Sequence, residues 1–179
     1  SELELSGIVQ VRQLAGLIDQ AQTLRRLYVK SGSERPAALV EPMDALDRQL
    51  TALERTHAAD PARRNAVKFV RETFTTLKTP TADPEEAFKK ADEFVQQLLR
   101  LTATMADLSA LSQDPGADSY HLMLAATQQV PEMIRRIGRV RDLGADALAA
   151  AAASPFQRRI VQGDSYVLYA ELELLFARF

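Results

Sequence analysis

Apolar and small side chains recur along this chain at alternating steps of three and four residues. The clearest such run occupies the C-terminal half. Its positions are Tyr120, Met123, Thr127, Val130, Ile134, Ile137, Arg141/Val140, Gly144 and Leu148. This spacing keeps one stripe on one face of a helix, so it predicts a long amphipathic α-helix over about residues 117–150.

Five helical stretches can be identified in this way. They cover about residues 2–30, 36–77, 84–108, 117–150 and 155 onward. Within the second stretch, Asp60-Pro61 is typical of a helix start, because an aspartate caps the helix that a proline opens. This stretch is therefore either one kinked helix or two. Asp83-Pro84 opens the third stretch, and turns are expected at 32–33, 78–84, 112–116 and 154–155.

Valine, isoleucine and threonine do not cluster in alternating runs, so strands are not expected. Long helices joined by short loops bury their stripes by packing side by side. We therefore predict an all-α fold, an elongated up-and-down antiparallel helical bundle with a four-helix core and about five helical segments. Residues 1–179 are expected to form this single domain, with more than two thirds of them helical.

Composition narrows the range of functions. The net charge is −2, with charged residues of both signs making up 26% of the chain and aromatic residues 6%, so no nucleic-acid partner is expected. The arginines at 135, 136, 139 and 141 are interpreted as a mostly solvated face. Cysteine is absent, which excludes disulfides, zinc–thiolate sites and a thiol nucleophile.

No sequence signature of catalysis is present. A phosphate-binding glycine loop, a nucleophile elbow and a helical zinc-protease motif are all missing, and no carboxylate pair stands out for acid–base chemistry. His57 and His121 lie on different predicted helices and are interpreted as partly buried or solvated histidines, without a metal. The chain is predicted to be no enzyme and to carry no cofactor.

Residues 22–27, with Gln22 and Arg25, and residues 114–144, with Asp114, Pro115 and Tyr120, carry polar motifs. In these two segments the chain resembles the extracytoplasmic sensor regions of bacterial chemoreceptors, histidine kinases and diguanylate cyclases. Near the end of the first helix, a Gln-x-x-Arg-Gly-Leu motif of that family is matched by Gln22, Arg25 and Leu27, with Arg26 in place of glycine. A second motif is matched by Asp114, Pro115, Asp118, Ser119, Tyr120, Leu122, Met123, Pro131, Glu132, Arg141, Leu143 and Gly144. Here His121 replaces a tyrosine, and the spacer 124–129 lacks the family's acidic and asparagine positions.

The resemblance implies an all-helical sensory domain in the periplasmic or extracellular part of a bacterial inner-membrane protein. Such a domain detects a small ligand or partner and passes a helix shift across the membrane. Because the chain opens at Ser1, we expect it to be a segment whose transmembrane helices lie outside it. A weak homodimer is also expected.

An alternative from another class is a non-catalytic structural or adaptor bundle that binds a partner protein helix along an exposed groove. The residues just beyond the two ends of the chain discriminate between the sensor hypothesis and the adaptor hypothesis. Hydrophobic spans of about 20 residues on both sides support the sensor. Polar flanks count against it.

If a small ligand binds, it is expected between the first helix and the long helix, at Arg25, Tyr120, Thr127 and Gln128. Arg25 would supply charge for an anionic group, Tyr120 a ring with a hydroxyl, and the other two further hydrogen bonds. A rival reading pairs Arg25 with Asp114 or Asp118 and joins two helix ends. Pro131 is expected to kink or locally widen the long helix.

Overall fold

The computed structural model describes residues 2–31, 37–109 and 117–177. Helix makes up 88% of it, and no strand occurs in these three ranges. The all-α prediction is confirmed. The turn expected at 32–33 and the loop expected at 112–116 lie outside the described residues.

The helices follow the predicted stretches closely. They are α1 (Glu2–Ser31), α2 (Ala37–Thr56), α3 (Pro61–Thr76), α4 (Pro84–Leu108), α5 (Ala117–Leu124), α6 (Val130–Ala149) and α7 (Pro155–Phe176). A π-helical turn, Ala125–Gln129, joins α5 to α6 without a loop. The stretch 36–77 is thus two helices, α2 and α3.

The break between α2 and α3 follows from Asp60. Its backbone is extended (φ −101°, ψ 109°), and its carboxylate accepts hydrogen bonds from the backbone N–H groups of Ala62 and Arg63 at 3.0 and 3.1 Å. These are two of the donors that a helix start leaves without intrahelical partners. Pro61 occupies the first helical position, where no backbone donor is needed.

Helices α1 to α4 form an antiparallel bundle. Each helix contacts the next one along the chain, and α4 closes the bundle against α1. Antiparallel order is visible between α2 and α3, where Arg71 reaches Glu54 at 2.9 Å and Lys78 reaches Asp47 at 2.8 Å. The predicted four-helix core and up-and-down arrangement are confirmed.

The core of this bundle is apolar and draws on all four helices. Its fully buried side chains include Leu14, Leu17, Leu24, Leu39, Leu46, Leu50, Phe74, Phe94, Leu98 and Met105. The rings of Phe74 and Phe94 pack in a tilted arrangement with their centroids 5.4 Å apart. This aromatic pair ties α3 to α4.

The chain divides into two compact units, Ser1–Gln129 and Val130–Phe179. The sequence pattern predicts a single bundle over residues 1–179. The first unit contains the four-helix bundle. In the second, α6 packs against α7. Asp164 of α7 is buried and ion-paired with Arg136 and Arg139 of α6 at 3.0 and 2.8 Å.

A matched pair of phenylalanines on α3 provides a test of the core. Phe74 is fully buried, whereas the Phe69 side chain is 61% exposed. We expect Phe74→Ala to lower the free energy of unfolding by about 3–5 kcal/mol, because it removes buried area and leaves a cavity. Phe69→Ala should change it little. Urea unfolding followed by circular dichroism measures both, and equal losses would contradict the assignment of the core.

Candidate functional site

Arg25 lies in the contact between α1 and α4 and is completely buried, with 0% of its side chain exposed. Its Nη1 donates to the Asp92 Oδ1 at 2.7 Å, and the Asp92 side chain is itself only 8% exposed. The guanidinium carbon also sits 5.5 Å from the centroid of the Phe88 ring on α4. Arg25 is therefore an interior cation held by a carboxylate and an aromatic face.

Asp92 is the partner of Arg25 in the structure, and it was not among the predicted partners. The acids proposed from the sequence as partners were Asp114 and Asp118; residue 114 and the side chain of residue 118 lie outside the described part of the structure. One signal pointed to Asp92. It follows Ala91 directly and precedes Val95 by three residues, so it borders the apolar stripe of α4. An acid bordering one stripe and a base near another are candidates for a buried pair.

Gln22 lies one turn before Arg25 on α1 and is also buried. The face of α1 that carries Gln22 and Arg25 is thus directed into the bundle rather than toward solvent. Polar side chains in such positions are retained only when their charges and donors are matched by partners. The motif helps to define how α1 meets α4.

Thr127 and Gln128 lie in the π-turn that precedes Pro131. Thr127 is buried, and its hydroxyl donates to the Met123 carbonyl oxygen at 2.8 Å; Gln128 is exposed. Proline has no backbone N–H, so the helix before it loses one backbone hydrogen bond. The predicted local widening near Pro131 is confirmed, and the Thr127 hydroxyl satisfies one carbonyl of this irregular segment.

The packing of α6 against α7 corrects one prediction. The side chains of Ile134 and Ile137, predicted to lie on the buried stripe, are 50% and 53% exposed. The buried positions are Arg135, Gly138, Asp142 and Leu143, and none of them is a predicted position. The continuous buried stripe through Val130, Ile134, Ile137 and Leu148 was wrong. Arginines of α6 face its neighbour instead, since Arg136 and Arg139 pair with Asp164 of α7.

The four candidate ligand residues come from different elements. Arg25 is on α1, Tyr120 is on α5, and Thr127 and Gln128 are on the π-turn; the Tyr120 side chain lies outside the described residues. Both α1 and the π-turn pack against α4. Helix α4, with Asp92 and Phe88, is therefore the shared neighbour of the two segments that carry the candidate residues.

The turn between α2 and α3 contains another buried titratable group. His57 is buried, and its Nε2 has no hydrogen-bond partner in the part of the chain that the structure describes. Burial lowers the pKa of His57 below its usual 6.5, and the nearby Arg63 guanidinium lowers it further, against an opposing effect of Asp60. The folded protein therefore favours the neutral form of His57. His121 is exposed.

No group of three or more His, Cys, Asp or Glu side chains is placed to hold a metal ion within ranges 2–31, 37–109 and 117–177. Among those same residues, no helix is both long enough and apolar enough to cross a membrane. Comparison of the chain with protein-family models, with characterised proteins and with solved structures finds no significant match to any of them.

The Arg25–Asp92 pair predicts a characteristic mutant cycle. Arg25→Met leaves the Asp92 carboxylate buried without its guanidinium, so we expect a loss of about 3–5 kcal/mol in the free energy of unfolding, and a similar loss for Asp92→Leu. The double variant Arg25→Met/Asp92→Leu should recover most of it, because neither charge is left behind. Arg48→Met, which breaks an exposed pair with Glu41, should have little effect. Additive losses in the double variant would show that the two charges are not coupled.

His57 predicts a pH dependence of stability. In the unfolded chain it takes up a proton near its usual pKa of 6.5, but in the folded protein only at lower pH. The unfolded state thus binds more protons below pH 6.5, so the free energy of unfolding falls as pH falls. The pKa values of Asp47 and Asp60 lie below the usual 3.8. These two groups therefore do not affect the pH dependence of the free energy of unfolding above about pH 5. His57→Gln should reduce the slope between pH 6.5 and about 5 in urea titrations; an unchanged slope contradicts this.

Proposed function

We propose that this chain is the extracytoplasmic sensory domain of a bacterial signal-transduction receptor, in its periplasmic or extracellular part. It detects a small ligand or partner and passes a helix shift across the membrane. One observation carries the proposal: Gln22 and Arg25, which match the sensor motif, are buried where α1 meets α4 in a four-helix antiparallel bundle. A polar motif that served only solubility would face water.

The α1–α4 contact suits a switch between two packings. Moving one helix past the other by a single turn displaces it by about 5.4 Å, which separates the Arg25 and Asp92 atoms now 2.7 Å apart. A shifted position leaves two buried charges without partners unless another anion takes the place of the Asp92 carboxylate, so the present packing is favoured in the free protein. A ligand that binds the shifted packing better would move the population toward it.

The proposed ligand is a small organic anion at Arg25, Tyr120, Thr127 and Gln128. Because Arg25 already pairs with Asp92, an anion that reaches the guanidinium competes with the Asp92 carboxylate. Such competition would link binding directly to the contact between α1 and α4. The π-turn adds an exposed amide at Gln128, which would hydrogen-bond the polar end of the ligand.

The receptor assignment includes transmembrane helices outside this chain and a weak homodimer. Sensor bundles of this kind act through pairs of subunits, and membrane helices raise the local concentration of the paired domains. In the full-length gene, we expect a hydrophobic span of about 20 residues on each side of this segment. Polar flanks on both sides would remove the receptor assignment.

A thermal-shift screen with a panel of small carboxylates tests the ligand site. We expect at least one carboxylate to raise the melting temperature of the wild type, because a ligand that binds only the folded state stabilises it. The same compound should not stabilise Arg25→Met/Asp92→Leu, which keeps the helix contact but lacks the guanidinium.

Arg48→Met is the control, since Arg48 is exposed on α2; it should respond like the wild type. Equal stabilisation of the double variant would place the compound elsewhere. A panel with no stabilising compound would favour a purely structural role for Arg25.

A further inference from the structure

The outer surface of the bundle carries a groove between α3 and α4, of about 600 Å³. Two rows of side chains form its walls: Ala62, Asn65, Ala66 and Phe69 from α3, and Gln97, Arg100, Leu101 and Thr104 from α4. Each row follows the spacing i, i+3, i+4, i+7, which places its members along one side of a helix. The groove therefore runs beside two helical turns, a length of about 10 Å.

The two walls differ in size along the groove. Ala62 and Ala66 are small and leave space over α3, whereas the large ring of Phe69 stands exposed in the same row. Single exposed apolar residues are ordinary on protein surfaces. Here Phe69 stands beside two alanines and above the buried Leu101, so the groove has an apolar floor with room for a side chain from outside.

The charge beside this floor is positive. Arg100 is the one charged residue of the eight that line the groove, and it makes no ion pair within the described ranges of the chain. Lys68, next to Phe69 on α3, is exposed and 3.8 Å from Glu72. The acid on the α4 side, Glu93, accepts a hydrogen bond from Gln97 at 2.7 Å. A partner carboxylate opposite Arg100 would thus meet a cation that no neighbouring acid has neutralised.

We propose that this groove binds an amphipathic α-helix of a partner protein, with apolar residues on the bound face and an aspartate or glutamate that pairs with Arg100. Two parallel rows with helical spacing accept the side chains of a third helix, as in helix-in-groove recognition. Asn65, Gln97 and Thr104 supply hydrogen bonds at the rim. The site is independent of the proposed ligand site, because it uses neither α1 nor the π-turn.

The test is a selection from a library of helical peptides, with one face randomised, against the whole chain. We expect enriched peptides to carry apolar residues at i, i+3 or i+4, and i+7, with an acid beside them. Phe69→Ala and Arg100→Glu should each weaken binding of an enriched peptide by about tenfold or more. The exposed α2 substitutions Val40→Ala and Arg55→Glu are matched controls and should leave it unchanged.

Charge reversal makes the test specific. A peptide in which lysine replaces the selected acid should bind Arg100→Glu better than it binds the wild type. Circular dichroism of each variant confirms that the bundle remains folded. No enriched peptide, or peptides that bind both groove variants as they bind the wild type, would overturn the proposal. Sedimentation would also overturn the proposal if the wild type associates with itself and Arg100→Glu abolishes this association. The groove would then bind a second copy of the chain.

Discussion

The buried pair between Arg25 and Asp92 constrains the bundle more than any other polar contact described in it. Apolar side chains on α1 and α4 bury their surface in many alternative alignments, because dispersion and hydrophobic burial have no direction. An ion pair at 2.7 Å with both partners almost fully buried permits one alignment. The Tyr28 hydroxyl, which donates to the Thr79 carbonyl oxygen at 3.1 Å, fixes the same helix against the loop between α3 and α4. Together these contacts give α1 a defined register.

The charges between α2 and α3 act differently. Arg71 binds both carboxylate oxygens of Glu54, at 2.9 and 3.0 Å, and also pairs with Asp47. Its side chain is partly solvated, so each contact is weaker than an interior one would be. The network instead orders the surface of the α2–α3 hairpin above Phe74, over whose ring the Arg71 and Lys78 cations lie. The bundle therefore combines one interior pair that selects an alignment with a surface network that reinforces it.

The π-turn before Pro131 links local backbone chemistry to the proposed signalling. It brings a buried hydroxyl and an exposed amide, Thr127 and Gln128, into a segment that packs on α4, the helix that also holds Arg25. A π-turn is a strained insertion that can be relieved by a shift of one residue, and such turns are frequent at functional sites. In the proposed sensor, ligand binding at this segment and realignment of α1 against α4 are parts of one equilibrium.

Sequence by itself determined the helical class, the positions of α2, α3 and α4, and the disturbance near Pro131. These features obey rules that act within a few residues: the 3/4 spacing of apolar positions, the Asp-Pro starts at Asp60 and Asp83, and the missing N–H of proline. The burial of Arg25 and its pairing with Asp92 were decided by tertiary structure, because they depend on which helix becomes the neighbour of α1. The face of α6 that is buried also lay beyond local rules. Arg136 and Arg139 of α6 pair with Asp164 of α7, and the periodic pattern of Ile134 and Ile137 does not predict which side of α6 this neighbour covers. The α3–α4 groove has the same origin, since each of its walls is an ordinary helix surface until packing sets the two side by side.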